Sequence, residues 1–185
     1  MSRIAEGYKR WRHTRGYGVH SPFAYRIVSE AIRPARGYAY YGDSDIDHCF
    51  SSAFDARMRR HARILLRLIC LLRPESVYLP QGIHPAFPTA VSCAGKNIRI
   101  SRGLADAPNC DMICSTGSEV PLQTLCDFLS NSAGELRTIA IRSVPEGWAD
   151  KLWDALGEGL LLRGNHGLII VSRPRMQKIS YKLRL

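Results

Sequence analysis

The sequence lacks a long hydrophobic run. Its longest nearly apolar stretch, Ile64 to Leu72, is interrupted by Arg67 and falls far short of the roughly 20 residues that a membrane-spanning helix needs. The segment Met1 to Arg15 is charged and aromatic and has no apolar stretch behind it, which argues against a secretory signal peptide. We therefore expect a cytoplasmic protein without a membrane span.

Cysteine pairs at metal-binding spacing are also missing. The 6 cysteines include no Cys-x-x-Cys pair, and the closest two, Cys110 and Cys114, have no neighbours that would complete a zinc site. The acidic segment Asp43 to His48 lacks the oxygen-rich spacing of a calcium loop, so a solvated turn is the preferred interpretation. We expect buried, reduced thiols and no metal.

The charge balance is the one unusual feature of the composition. With 45% hydrophobic and 23% charged residues, the 185-residue chain resembles an ordinary folded domain. Its formal net charge of +10 indicates an anionic partner, such as a small anion or a nucleic acid. Net charge alone does not establish such a partner, because it also reflects solubility.

Short apolar runs separated by glycine and proline begin after Pro74. The first four predict buried parallel strands with helices between them, which favours an α/β fold. Gly164-Asn-His-Gly167 lies between two further runs and predicts an antiparallel hairpin. The predicted strands are Ser76 to Leu79, Asn97 to Ser101, Asp111 to Ser115, Arg137 to Ile141, Gly159 to Arg163, Leu168 to Ser172 and Lys178 to Leu185; the helices between them are Thr89 to Ala94, Leu122 to Asn131 and Trp148 to Leu156.

The N-terminal part of the chain combines aromatic and basic residues with helical patterns. Ser21 followed by Pro22 predicts the start of a helix that continues to Ile32. A second helix, from Ser52 to Leu72, has an apolar stripe and a basic stripe. The basic stripe is interpreted as a solvated face, with an interaction surface as the alternative. The basic stripe consists of Arg60, Arg63 and Arg67.

Aromatic side chains accompany these basic residues. Such a mixture occurs on nucleic-acid-binding surfaces, where rings stack on bases. The preferred interpretation is that the rings pack on the domain or on a second subunit, which would give a homodimer joined through the N-terminal segment. The aromatic residues are Tyr8, Trp11, Tyr17, Tyr38, Tyr40 and Tyr41.

The order of several short strings resembles bacterial class I S-adenosylmethionine-dependent methyltransferases, similar to small-molecule O-methyltransferases. The resemblance implies a Rossmann-like, mostly parallel sheet with a C-terminal antiparallel hairpin. It also implies an N-terminal helical extension over residues 1–50, packed on a methyltransferase-like α/β domain over residues 51–185 as a single globular unit. The strings are Gly18 to Phe23, Leu65 to Leu79, Asp111 to Gly117, Ile139 to Trp148, and Gly167 through Tyr181-Lys-Leu-Arg184.

The same resemblance assigns positions to an S-adenosylmethionine site. Gln81 and Gly82 stand in the glycine-rich turn after the first strand, and Arg102 stands where a carboxylate would hold the ribose. Ser115 and Gly117 stand in the element after a later strand.

Several of these positions depart from the family pattern. Leu79 replaces an acidic residue, Gln81 replaces the first glycine, and Thr116 replaces an aspartate. Arg102 reverses a charge, because an arginine donates hydrogen bonds but cannot accept them from a ribose diol. Arg142, with Ser143, stands where the family has an acidic pair. We interpret the set as an eroded cofactor site without metal ligands.

The third strand of the family is also expected to be missing. Only six residues lie between Gly103 and Cys110, whereas a strand-helix-strand crossover needs about 30 residues. The loop after that strand lines the adenine pocket in the family. Its loss therefore indicates the same erosion as the substitutions do.

The favoured function is a methyltransferase-like protein that acts as a non-catalytic binding or interaction module. One alternative is an active methyltransferase with an atypical cofactor site and an unknown acceptor. Another is an anion- or nucleic-acid-binding protein, in which Arg102 and Arg142 would hold a phosphate. His20 and His84 are candidates for chemistry, but a structural or solvated residue is preferred, because the sequence identifies no acid or nucleophile to act with either histidine. The sequence identifies no catalytic residue.

Overall fold

The computed structural model describes residues 3–34, 55–131 and 134–184. They belong to two compact units that alternate along the chain. The first comprises residues 1–73, 84–98 and 182–184, and the second comprises residues 74–83 and 99–181. The predicted boundary at residue 50 stays a prediction. The interpretations of Asp43 to His48, Cys49 and the tyrosines at 38, 40 and 41 lie outside the described residues.

The N-terminal part of the first unit is helical. Helix α1 spans Arg3–Thr14, and α2 spans Pro22–Arg26 and continues as a π-helix over Ile27–Ile32. Ser21 caps α2, because its hydroxyl accepts a hydrogen bond from the Ala24 N–H at 3.3 Å. The predicted helix from Pro22 to Ile32 is therefore confirmed, with its second half wider than an α-helix.

The basic helix α3 spans Ala56–Leu72. Asp55 starts it by accepting a hydrogen bond from the Met58 N–H at 2.6 Å, and Arg73 ends it in the left-handed conformation with a φ of 53°. Most of the predicted apolar stripe is buried, including Ala62 and Leu65. Helix α4 spans Ala86–Ala94 and begins before the predicted Thr89, since a proline in the first helical turn needs no N–H partner.

The second unit is built on a mixed sheet. Seven strands of the described residues form it in the order β2-β1-β3-β4-β6-β5-β7. The β1–β2, β1–β3 and β3–β4 pairs are parallel, and the β4–β6 and β5–β6 pairs are antiparallel. The strands are β1 Ser76–Tyr78, β2 Arg99–Ser101, β3 Met112–Ser115, β4 Arg137–Ile141, β5 Gly159–Arg163, β6 Leu168–Ser172 and β7 Ile179–Lys182.

The hairpin and the shortened crossover are as the sequence predicts. Strands β5 and β6 are joined by a turn in which the Gly164 N–H donates to the Gly167 carbonyl at 2.8 Å. Between β2 and β3 the chain forms only a 3₁₀ helix, Leu104–Asn109. The α/β architecture with a mostly parallel sheet and a C-terminal hairpin is thus present.

Two further helices and a buried cluster complete the second unit. Helix α5 spans Leu122–Ser130 and α6 spans Trp148–Ala155. Phe128 and Leu125 of α5 and Leu152 of α6 are fully buried with the apolar residues of β3, β4 and β6. This burial supplies the main hydrophobic stabilisation of the unit.

Asp111 joins the beginnings of β1 and β3. Its Oδ2 accepts hydrogen bonds from the N–H of Glu75 at 2.8 Å, from the N–H of Ser76 at 2.9 Å and from the Ser76 hydroxyl at 3.0 Å. The Asp111 N–H donates in return to Ser76 Oγ at 3.0 Å. A single carboxylate thereby links the beginnings of two central strands.

Candidate functional site

The carboxyl ends of β2, β1, β3 and β4 lie side by side along one edge of the sheet, which we call the carboxyl edge. Open α/β sheets bind ligands at such an edge. The predicted site residues follow these four strands: Gln81 and Gly82 after β1, Arg102 after β2, Ser115 and Gly117 at the end of β3, and Arg142 after β4. The fold therefore brings the predicted positions to one edge.

The segment after β1 is a tight turn. The Ile83 N–H donates to the Pro80 carbonyl at 3.3 Å, so that Gln81 and Gly82 form the exposed corner. Gly82 has a φ of 75°, which the third position of a type II turn requires. A Cβ at this position would meet nothing within 4 Å. The backbone conformation by itself thus accounts for a glycine at position 82, and the space beside it is open.

Arg102 lies across this turn. Its Nη1 donates to the Pro80 carbonyl oxygen at 3.4 Å, and the same oxygen accepts the Ile83 N–H. The position that the resemblance assigns to a ribose carboxylate therefore holds a guanidinium attached to the neighbouring loop. The remaining N–H groups of Arg102 can donate hydrogen bonds to neutral acceptors or to anions.

The loop after β3 closes on its own carboxylate, Glu119. The Ser115 hydroxyl donates to Glu119 Oε2 at 2.6 Å, and the Gly117 N–H donates to the same oxygen at 2.7 Å. The Thr116 hydroxyl donates to Glu119 Oε1. We call this arrangement the Glu119 cap. It uses donors of both residues, Ser115 and Gly117, that the resemblance assigns to the cofactor.

The Glu119 cap also determines the charge of the loop. Burial acts to raise the pKa of Glu119, but the hydrogen bonds from Ser115, Thr116 and Gly117 outweigh it and hold the pKa below its usual range. The carboxylate is therefore ionised at neutral pH. Sequence reasoning missed Glu119, although a serine or threonine followed by a carboxylate a few residues later is typical of local capping.

Glu119→Gln should weaken the cap in a pH-dependent way. Because the folded-state pKa is lowered, the stabilisation is present above the unfolded-state pKa of about 4.3 and is lost as the pH falls through the folded value. We expect the variant to have a lower melting temperature than the wild type at neutral pH, and we expect this difference in melting temperature to become smaller at acid pH. Thermal melts from about pH 7 to about pH 3 measure it.

Glu146→Gln is the matched control, because it removes an exposed carboxylate of the same unit. It should leave the melting temperature nearly unchanged across this range. A gap between wild type and Glu119→Gln that stays constant with pH would contradict the ionised cap.

Arg142 connects β4 to the Glu119 cap through its backbone. Its N–H donates to the Ser115 carbonyl at 3.0 Å, and the Ser143 N–H donates to the Thr116 carbonyl at 3.1 Å. Within the described part of the chain, neither Arg102 nor Arg142 is in an ion pair with a carboxylate. Three strand spacings separate the two positions, or about 14 Å of backbone. A ligand shared by both arginines would have to be extended.

Two cavities of the second unit are lined by described residues other than the predicted positions. One of about 140 Å³ lies beside the segment after β4, between Val144 and the hairpin turn at Gly164. It is smaller than the roughly 300–1,000 Å³ typical of small-molecule sites. A larger one of about 410 Å³ lies at the opposite edge, near Glu158 and Ser172.

The other candidates for chemistry have structural surroundings. His84 Nδ1 accepts a hydrogen bond from the Ala86 N–H at 3.2 Å and so caps the beginning of α4. His20 lies exposed in the loop before α2. Burial raises the pKa of the Cys110 and Cys114 thiols, as expected for buried cysteines. In the described residues, no group of three His, Cys, Asp or Glu side chains is placed to hold a metal ion.

No helix within residues 3–34, 55–131 and 134–184 combines the length and the apolar character needed to cross a membrane. Comparisons of the chain with protein-family models, with curated proteins and with solved structures find no match.

Proposed function

We propose that this chain is a non-catalytic binding or interaction module on a methyltransferase-like scaffold whose carboxyl edge does not hold S-adenosylmethionine. The observation that carries the proposal is the Glu119 cap. An internal carboxylate accepts hydrogen bonds from Ser115, Thr116 and Gly117, so a cofactor would have to break several charge-assisted hydrogen bonds before forming its own.

The electrostatics of the edge support the same proposal. S-adenosylmethionine carries a positive sulfonium and a ribose diol that a carboxylate usually accepts. The edge instead offers the guanidinium of Arg102, which is bonded to Pro80, and the side chain of Arg142. Like charges repel, and a guanidinium cannot accept a hydrogen bond from the diol.

Isothermal titration with S-adenosylmethionine and S-adenosylhomocysteine tests the proposal. We expect no saturable heat with either compound up to roughly millimolar concentration, and no rise in melting temperature, because only a ligand that binds the folded state stabilises it. Micromolar binding of either compound would overturn the proposal.

An active methyltransferase with an atypical cofactor site is the second candidate. Two observations favour it: the glycine turn after β1 keeps a left-handed Gly82, and the space next to that glycine is open. This candidate predicts micromolar binding in the same titration, so one experiment separates the two functions. Homodimer formation through the N-terminal segment stays a prediction.

A further inference from the structure

The positive charge of the chain belongs almost wholly to the first unit. That unit contains 17 lysine and arginine residues and 6 aspartate and glutamate residues, a formal charge of +11. The second unit, which carries the carboxyl edge, contains 9 lysine and arginine residues and 10 aspartate and glutamate residues, a formal charge of −1. An anionic ligand attracted by the net charge is therefore attracted to the first unit.

A cleft of about 480 Å³ lies within the first unit, and we call it the arginine cleft. Helices α1 and α3, the segment after the π-helix and the end of the chain form its walls. Its volume is within the range of small-molecule sites. No aspartate or glutamate lines it among the described residues. The charged and aromatic lining residues are Trp11, Arg15, Arg33, Arg60, Arg67 and Arg184.

Hydrogen bonds hold the walls of the arginine cleft together. Arg60 Nη2 donates to the Arg184 carbonyl at 2.9 Å, and the Arg184 N–H donates to Thr14 Oγ1 at 2.8 Å. Thr14 is buried and donates to the Arg10 carbonyl at 2.7 Å. The end of the chain thus connects α1 to α3, and the Arg60 guanidinium is held in place before any ligand binds.

The arginines are spaced for more than one anionic group. Arg60 and Arg67 are seven residues apart on one face of α3, which is about 10.5 Å along the helix axis. On another wall, the Arg15 guanidinium lies 4.5 Å from the centroid of the Trp11 ring, which in turn stacks on Tyr8 at 5.8 Å. The cation–π contact orients Arg15 at the cleft without neutralising it.

Three carboxylates of the first unit lie within the described residues, and each has a partner elsewhere on the unit. Glu6 pairs with Lys182 at 3.0 Å, Glu30 pairs with Arg26 at 3.1 Å, and Asp55 caps α3. None of the ion pairs found in the described residues involves Arg15, Arg33, Arg60 or Arg184.

We propose that the arginine cleft binds a phosphorylated ligand that carries a diphosphate or longer phosphate chain. Planar guanidinium groups match phosphate oxygens two at a time, and Arg60 and Arg67, two turns apart on α3, allow two phosphates of one chain to be bound at once. The volume of the cleft accommodates a nucleotide. The inference is independent of whether the carboxyl edge binds S-adenosylmethionine, because it concerns other residues and another ligand.

Titrations with pyrophosphate, with ADP and with sulfate test the site, and calorimetry and tryptophan fluorescence monitor the binding. We expect saturable binding of pyrophosphate and ADP that is at least about tenfold tighter than that of sulfate, since sulfate offers one anionic group. Equal affinity for pyrophosphate and ADP identifies the phosphate chain as the ligand. Tighter binding of ADP identifies the nucleotide, and either result supports the site.

The double variant Arg60→Ala with Arg67→Ala should lower the affinity at least about tenfold. Arg57→Ala with Arg59→Ala is the charge-matched control, because both residues are on α3 and neither lines the cleft. If the first double variant fails to fold, as judged by circular dichroism, the exposed Arg15→Ala replaces it with the same expected direction.

Three results would overturn the proposal. The first is the absence of pyrophosphate and ADP binding at low salt. The second is an equal loss of affinity in both double variants, which would indicate a diffuse charge effect. The third is binding confined to a single-stranded oligonucleotide and unchanged by Arg60→Ala with Arg67→Ala, which would place a nucleic-acid surface elsewhere.

Discussion

Gly159→Ala is expected to lower the free energy of unfolding by about 3 kcal/mol or more, because its position combines backbone strain with collision. Gly159 begins β5 with a φ of 132°, a conformation that residues with a Cβ rarely adopt. A Cβ there would collide with the carbonyl oxygen of Val171 and lie 3.0 Å from the Ser172 Cα. These are backbone atoms of β6, the strand paired with β5, and they cannot move away without opening the hairpin.

Thermal and denaturant unfolding of the variant measure this loss, which corresponds to a fall of roughly 6–12 °C in Tm for a chain of this size. Gly157→Ala is the matched control, because Gly157 is exposed and a Cβ there would meet nothing within 4 Å. It should stay within about 0.5 kcal/mol of the wild type. Equal stability of Gly159→Ala and Gly157→Ala would contradict the described hairpin.

Asp111→Ala is expected to lower the free energy of unfolding by about 3 kcal/mol, because one carboxylate oxygen accepts three hydrogen bonds at the start of β1. Removing it leaves the N–H groups of Glu75 and Ser76 without their acceptor. Ser76 is buried, so water replaces the lost oxygen poorly at that residue. The same change also removes the side-chain link between β1 and β3, whose backbone pairing remains.

Asp111→Asn should lower the free energy of unfolding by less than Asp111→Ala does, since the amide keeps one acceptor oxygen without the charge. Asp154→Ala, which removes an exposed carboxylate of α6, should be nearly neutral. Urea unfolding of the three variants gives the ranking. If Asp111→Ala matched Asp154→Ala, the carboxylate would not be the link that the structure describes.

Much of the fold is predictable from local sequence. Every strand of the described residues lies within a stretch that the sequence predicts as a strand, and the glycines at 164 and 167 predict the hairpin turn. The predicted burial of β2 is wrong, because its residues Arg99–Ser101 are exposed or half-buried at one edge of the sheet. The reason for the central strands is physical, because burial on both faces requires nearly continuous apolar residues. The short segment between β2 and β3 is predictable as well, because chain length limits what it can form.

The details of the candidate site are less predictable. Nothing local in the sequence indicates that Arg102 would bond to Pro80, because that contact depends on the pairing of β1 with β2. The Glu119 cap was predictable in principle from Ser115 and Thr116 followed by a carboxylate, but loop conformation decides which donors reach it.

The location of the charge also depends on the tertiary fold. The sequence shows a net charge of +10, but the first unit gathers three separate segments of the chain. Arg184, at the far end of the sequence, reaches the same cleft as Arg15 and Arg60 only through this assembly. Net charge therefore predicts an anionic partner without predicting its site.

We propose that the chain's own side chains close the carboxyl edge to S-adenosylmethionine. Backbone-amide NMR of the isotope-labelled protein, titrated with S-adenosylhomocysteine, tests it most directly. We predict that the amide signals of Gly82, Gly117 and Arg142 do not move. Saturable shifts that converge on these three residues would contradict the claim and identify the edge as a cofactor site.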